Sequence, residues 1–237
     1  MATGTEPEVA LLNSQYATSL PARGVLVTLD DVVEELGGRD AFFESALSLS
    51  QYDGKYYTLP YQTQPVVMWY RKDIFKKYNV EPPKTWEDLY EAAKILTEKM
   101  SPDMYGIGLP YGRNDWTEEA FYDIALWPAG GKVLDNNDNV IFDSPETEKA
   151  LEYYKSLYAF TPLGSETWSY YETMNSYVSG IAAMTLYYGR TLVSLKEYNP
   201  DILPNTGAII PPKNKDQATS NPPPKAWESL KIHIIQN

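Results

Sequence analysis

Cysteine is absent from the 237-residue sequence, and histidine occurs once, at His233. Disulfide bonds and thiol nucleophiles are therefore excluded. A histidine-based catalytic triad or a histidine-rich zinc site would have to rest on the last few residues of the chain. Gly106 and Gly108 lack the third glycine and the strand-to-helix context of a dinucleotide fingerprint. We expect no cofactor and no metal site of these kinds.

Long apolar runs are also missing, since none approaches the roughly 18 to 20 residues that a membrane span requires. Residues 1–6 contain no basic stretch followed by an apolar core, so we expect no signal peptide in the chain. The 32 acidic and 20 basic residues give a net charge of −12. Such a field repels phosphate backbones, so no nucleic-acid partner is expected.

Tyrosine is abundant instead: the chain has 20 Tyr and 6 Trp but only 6 Phe. Tyr and Trp combine a flat apolar face with a polar edge, which suits surfaces that bind a ligand half apolar and half hydroxylated, such as a sugar. The alternative is that Tyr occupies ordinary half-buried positions where Phe would also serve.

Alternating strand and helix patterns predict an α/β architecture with a largely parallel sheet. Pro60 and Pro65 interrupt a run of strand formers over 56–70, which indicates a crossing connection rather than a central strand. A capping-box pattern at Thr85 and Asp88 precedes the strongest amphipathic pattern, which ends at Met100. Strands are predicted at 9–13, 181–188 and 206–210. Helices are predicted at 14–24, 40–50, 117–126, 170–179 and 190–198. A further helix is predicted to begin at 144 and to bury Ala150, Leu151, Tyr154 and Leu157.

Acidic pairs among aromatic residues could serve a glycoside hydrolase, and the candidates are Asp115 with Glu118 or Glu119, and Glu166 with Glu172. The alternative interpretation places Glu118 and Glu119 in a first helical turn, facing solvent and favoured by the helix dipole.

A second acidic pattern matches five positions of a calcium-binding loop: Asp135, Asn137, Asn139, Asp143 and Glu146. Val140 occupies the sixth position, where glycine permits the sharp turn that such a loop needs. A hairpin turn between two short apolar segments is therefore favoured over a metal site.

Aromatic, amide and basic residues recur at the ends of predicted elements, where ligands of α/β proteins bind. Scattered surface aromatics are the alternative. The candidate ligand-binding residues are Asn13, Tyr16, Gln62, Gln64, Trp116, Trp168, Tyr187, Tyr188 and Arg190.

Several segments together resemble a known family. The stretch DGKYYTLPYQTQPVVMWYRKDIFKKYNVEPPKTWEDL, over 53–89, closely resembles the family 1 extracellular solute-binding proteins, relatives of maltose-binding protein. The similarity continues over 130–158 and 168–212, and 7–32 resembles an earlier segment. At 187–190 this chain has Tyr-Tyr-Gly-Arg, whereas many relatives have a Trp shortly after the glycine, so the identity of the sugar stays open.

The resemblance implies an α/β, two-lobed periplasmic-binding-protein fold with a hinge, and a binding protein rather than an enzyme. Lobe I would comprise 1–64 and 208–237 and be incomplete, and lobe II would comprise 65–207. The lobes would close on a mono- or oligosaccharide outside the cytoplasm and deliver it to an ABC transporter permease. A chain with an incomplete lobe is expected to self-associate. A glycoside hydrolase and a binding protein for a non-sugar solute remain alternatives.

Overall fold

The computed structural model describes residues 7–12, 16–61, 65–135, 137 and 139–214. These residues divide into two compact units, 7–61 and 65–214. The lobe boundaries expected after 64 and 207 stay a prediction. Within the described part of the chain, no helix is both long and apolar enough to cross a membrane.

The first unit is a small arrangement of short helices beside a two-stranded hairpin. Its core is formed by Val33, Leu47 and Tyr56, which are buried against one another. The amide of Leu29 donates to the carbonyl of Tyr56 at 2.7 Å, which ties a helix start to the hairpin. The elements are α1 Tyr16–Ala22, α2 Asp30–Glu35, a 3₁₀ turn Arg39–Ala41, α3 Glu44–Ser48, β1 Gln51–Tyr52 and β2 Lys55–Tyr56.

Two predictions in this unit are wrong. Residues 9–12 are not in a strand, and Val9 and Leu11 are 88% and 81% exposed. The helix predicted over 40–50 is interrupted, because Phe42 and Phe43 adopt extended backbone conformations between the 3₁₀ turn and α3. The helix ending before Gly24 is confirmed as α1.

The second unit surrounds a three-stranded sheet with helices and holds most of the buried apolar residues. Its elements are β3 Val66–Arg71, α4 Lys72–Tyr78, α5 Trp86–Met100, α6 Asp115–Phe121 continued by a π-helical turn Tyr122–Leu126, α7 Pro145–Leu157, α8 Tyr170–Val178, β4 Met184–Tyr188, α9 Arg190–Tyr198 and β5 Thr206–Ile209.

The sheet has the order β4-β3-β5, and β3 is antiparallel to both neighbours. The prediction of a largely parallel sheet is therefore wrong for these strands, and β3 is central where only a crossing connection was expected. Pro65 does not prevent this, because it precedes the first strand residue and leaves the ladder's donors intact. Parallel pairing occurs at isolated bridges, where Tyr105 and Gly108 lie beside Ala182 and Thr185.

Local capping signals predict the helices of this unit well. Thr85 and Asp88 form the capping box of α5, and its apolar face is buried as expected. Ser144 caps α7, although Leu151, predicted to be buried, is 49% exposed. Gly180 ends the α8 region with a φ of +81°, a conformation that favours glycine. The helix predicted at 190–198 is confirmed as α9.

Candidate ligand-binding site

Strand β4 ends in two of the candidate residues, Tyr187 and Tyr188. The Tyr187 ring is buried in the unit, and the Tyr188 ring is half-buried. Their ring centroids lie 5.6 Å apart. The two rings are therefore in contact at the end of the strand.

Trp116 of α6 and Tyr170 of α8 complete a four-ring cluster with Tyr187 and Tyr188. The Trp116 centroid is 5.1 Å from both strand tyrosines and 5.4 Å from Tyr170. The Tyr170 ring lies 4.7 Å from Tyr187. Tyr170 was not predicted as a site residue. Its position as the first residue of a capped helix was the sequence feature that could have identified it.

Asn114 joins the start of α6 to the chain that leads into α8. Its Oδ1 accepts a hydrogen bond from the Thr117 amide at 3.1 Å, and its Nδ2 donates to the carbonyl of Trp168 at 2.9 Å. Gly112 permits the close approach of the two segments, because a Cβ at this position would lie 2.4 Å from the Trp168 carbonyl oxygen. The main chain of Trp168 is thus held beside α6, while its half-buried indole lies outside the four-ring cluster.

Glu119 lies one turn after Trp116 and accepts a hydrogen bond from the Tyr188 hydroxyl. It is half-buried, so the expectation that it faces solvent is wrong. Burial raises the pKa of the Glu119 carboxyl, and the Tyr188 hydrogen bond opposes that rise. Spacing from Trp116 on one helix face was the sequence signal that could have identified it.

Asp123 lies in the π-helical turn, one turn beyond Glu119. Burial, together with the nearby charge of Glu119, raises the pKa of Asp123 to about 7. The neighbouring Glu118 instead accepts a hydrogen bond from the Tyr122 hydroxyl and stays exposed. The acidic edge of the four-ring cluster therefore consists of two carboxylates that burial pushes toward their protonated forms.

The indole N–H of Trp116 is a buried donor without a hydrogen-bond partner among the described residues. Trp116 as a whole is only 4% exposed. An unsatisfied buried donor is costly, so a hydrogen bond from this N–H to an oxygen acceptor would be stabilising.

The remaining predicted site residues stay predictions. Arg190 is exposed at the start of α9, directly after the glycine that follows β4. Tyr16 is 47% exposed at the start of α1, in the other unit. Asn13, Gln62 and Gln64 lie outside the described residues.

Glu166, Glu172 and Asp135 make local hydrogen bonds away from the four-ring cluster. Glu166 accepts from the Tyr158 hydroxyl at 3.1 Å, and Glu172 accepts from the amide and hydroxyl of Ser169 and so caps α8. Asp135 accepts from the amides of Asn137 and Asn139.

The hairpin predicted at Asp135 is confirmed by an antiparallel bridge between Leu134 and Val140. Among the residues that the structure describes, no group of acidic or histidine side chains is arranged to hold a metal ion.

Aromatic rings and a carboxylate come together at the end of strand β4, an arrangement that is typical of binding sites for small polar solutes. Residues 1–228 match the family described as bacterial extracellular solute-binding protein. The chain therefore belongs to this family of solute-binding proteins.

Characterised and putative relatives support the assignment. The chain is 29% identical over 214 residues to the putative ABC transporter periplasmic-binding protein YcjN of Escherichia coli (strain K12), covering 88% of this chain and 48% of that protein. It is 26% identical over 186 residues to the arabinooligosaccharide-binding protein of Bacillus subtilis (strain 168), covering 75% and 40%. The chain spans about half the length of these curated relatives.

Solved structures give the same result. An ABC transporter solute-binding protein from Thermotoga lettingae TMO, bound with α-D-tagatose, matches with a TM-score of 0.77 and 25% identity, over 86% of this chain and 53% of that one. A second, from Agrobacterium radiobacter K84 in complex with ribitol, matches with a TM-score of 0.76 and 27% identity, over 87% and 53%. The predicted α/β, two-lobed solute-binding fold is thereby confirmed. The family and its relatives are periplasmic or extracellular binding proteins.

Proposed function

We propose that this chain binds a sugar or a polyol at the four-ring cluster, as part of a protein that supplies an ABC importer, and that it catalyses no reaction. The observation that carries the proposal is the placement of Glu119 against Tyr188 at the end of β4, beside the Trp116 ring. The sugar- and polyol-bound relatives support the ligand class.

The chemistry of the site suits a hydroxylated ligand. Aromatic faces stack against the C–H faces of a sugar, and the Glu119 carboxylate and the Trp116 N–H supply one acceptor and one donor for hydroxyl groups. Each net hydrogen bond contributes roughly 0.5 to 1.5 kcal/mol. Several of them together with ring stacking reach the roughly 8 kcal/mol of micromolar binding.

The proposal includes the wider arrangement of the family. Lobe I would comprise 1–64 and 208–237, and lobe II 65–207, with hinge segments at 61–66 and 208–212. Asn13, Tyr16, Gln62, Gln64 and Arg190 would add polar contacts to the ligand. The protein would act outside the cytoplasm and pass its ligand to a permease.

Ligand binding is tested by a thermal-shift screen with D-tagatose, ribitol, D-mannitol, maltose and non-sugar solutes, followed by calorimetry on each hit. We expect a sugar or polyol to raise the melting temperature, because a ligand that binds only the folded state stabilises it. Trp168 lies outside the four-ring cluster, but Asn114 holds its main chain beside α6, and we expect its indole to extend the ligand-binding surface. Trp168→Ala should then weaken binding by roughly 1 to 3 kcal/mol, as expected for an aromatic anchor. Trp127→Ala is the control, since Trp127 is an exposed Trp that is not among the predicted site residues.

Equal affinity in the two tryptophan variants would remove Trp168 from the site, and hits confined to non-sugar solutes would overturn the ligand class. A reducing-sugar assay against oligosaccharides addresses the hydrolase alternative. Release of product, lost in Glu119→Gln, would contradict a purely binding role.

Self-association is proposed as well, because the first unit exposes several large apolar side chains: Val9, Leu11, Val27, Phe43 and Leu49. Exposed apolar surface of this kind favours contact with another chain. Light scattering between low and high micromolar protein should show a mass that grows with concentration. The double variant Val27→Ser and Phe43→Ser should shift the growth to higher concentration. A monomer throughout the range would exclude the proposal.

A further inference from the structure

Trp69 lies on the central strand β3 and is 2% exposed. Its indole N–H donates to two carbonyl oxygens at once, that of Tyr187 at 3.1 Å and that of Tyr188 at 3.2 Å. These partners are 118 and 119 residues away in the sequence. A single buried donor on β3 therefore contacts the end of β4 from which the two site tyrosines project.

The strand register makes this contact distinct from ordinary ladder pairing. Trp69 lies opposite Thr185, whereas Val67 and Val66 lie opposite Tyr187 and Tyr188. The indole thus reaches along the sheet from its own pairing position to the end of the neighbouring strand. Its two acceptors belong to consecutive peptide planes, so the shared N–H restrains the backbone rotation between them.

We infer that Trp69 is a positioning residue for the four-ring cluster: its indole N–H fixes the last two peptide planes of β4 and thereby holds Tyr188 against Glu119. The Cα–Cβ directions of Tyr187 and Tyr188 depend on these planes. Thr191 adds a second side-chain donor, whose hydroxyl bonds the Tyr188 carbonyl at 3.0 Å. Without the indole donor, the backbone of Tyr187 and Tyr188 loses its side-chain hydrogen bonds to the central strand β3.

The sequence offers a matched comparison in Tyr154. Its buried hydroxyl donates to the carbonyl of Pro110 at 2.7 Å, so Tyr154→Phe also removes one buried side-chain donor from a backbone carbonyl. Trp69→Phe keeps an aromatic ring on β3 and removes the N–H. Both variants should melt at a lower temperature than the wild type, because each removes a buried side-chain hydrogen bond to a backbone carbonyl.

The discriminating measurement is the titration of Glu119, followed by NMR with carboxyl-labelled glutamate and assigned by Glu119→Gln. The Tyr188 hydrogen bond lowers the pKa of Glu119, so a displaced Tyr188 should let that pKa rise. We expect an upward shift in Trp69→Phe and none in Tyr154→Phe. Tyr188→Phe gives the shift for complete loss of the bond.

If Trp69→Phe does not fold, benzothienylalanine in place of Trp69 keeps the shape of the indole and lacks only the donor. A Glu119 titration unchanged from wild type in the folded variant would overturn the inference. That measurement needs no ligand, so its outcome is independent of the proposed function.

A second experiment rests on the proposed function: ribitol, or the best hit of the screen, should bind roughly tenfold more weakly to Trp69→Phe than to Tyr154→Phe. Equal binding with a shifted titration would contradict the ligand site and leave the positioning role intact.

Discussion

Replacing Asp123 by Asn is expected to stabilise the protein at neutral pH and to remove a pH dependence of stability between about pH 4 and 7. Burial and the charge of Glu119 raise the pKa of Asp123 in the folded protein from 3.8 to about 7. The unfolded chain releases this proton near pH 4, whereas the folded chain holds it until about pH 7. Between these values the folded state binds more protons, so stability falls as pH rises.

The loss is complete above pH 7. Each pKa unit corresponds to about 1.4 kcal/mol, so the full effect is on the order of 4 kcal/mol. Asn keeps the shape of the side chain and carries no charge at any pH. Urea unfolding at pH 4, 5.5, 7 and 8 should show a gap between variant and wild type that opens with increasing pH.

Asp135→Asn is a control, because the pKa of Asp135 is shifted in the opposite direction to that of Asp123. Hydrogen bonds from Asn139 and Asn137 lower the pKa of Asp135, so its carboxylate favours the folded state and the amide should not stabilise at neutral pH. Parallel stability curves for Asp123→Asn and wild type from pH 4 to 8 would show that the Asp123 carboxyl is not held in its protonated form.

Gly106→Ala is expected to destabilise the second unit severely. A Cβ at this position would lie 2.1 Å from the carbonyl oxygen of Ala93 and 2.6 Å from its Cα, both backbone atoms of α5. Backbone atoms cannot move aside as the end of a flexible side chain can. The Gly106 amide also donates to the Thr97 hydroxyl at 2.8 Å, which holds the chain against the helix. We expect a loss of roughly 3 kcal/mol or more.

Gly189→Ala is the matched control, because a Cβ there would have no atom within 4 Å and the backbone φ of −56° suits any residue. It should change stability by less than about 1 kcal/mol. Urea unfolding of both variants makes the comparison. Similar midpoints would mean that the segment after Gly106 can move away from α5. The result bears on the site, since the Gly108 amide donates to Met184 and supports β4 at its other edge.

The sequence alone determined helices α5 to α9 and the family. The capping boxes and caps of α5 and α7 depend on side chains within three or four residues of one another, and such contacts are visible in a linear pattern. The place of Tyr187 and Tyr188 at a strand end was likewise predicted from neighbouring residues. The family resemblance over 53–89 was confirmed by the match of residues 1–228.

Tertiary structure alone decided the antiparallel sheet, the burial of Glu119 and the role of Trp69. Strand direction depends on which distant segments pair, and local alternation is the same for either direction. Glu119 is half-buried, and its hydrogen-bond donor, Tyr188, is 69 residues away in the sequence. The Trp69 indole bonds carbonyls that are 118 and 119 residues away in the sequence. Contacts of that range follow from the packing of whole elements, which no short sequence pattern encodes.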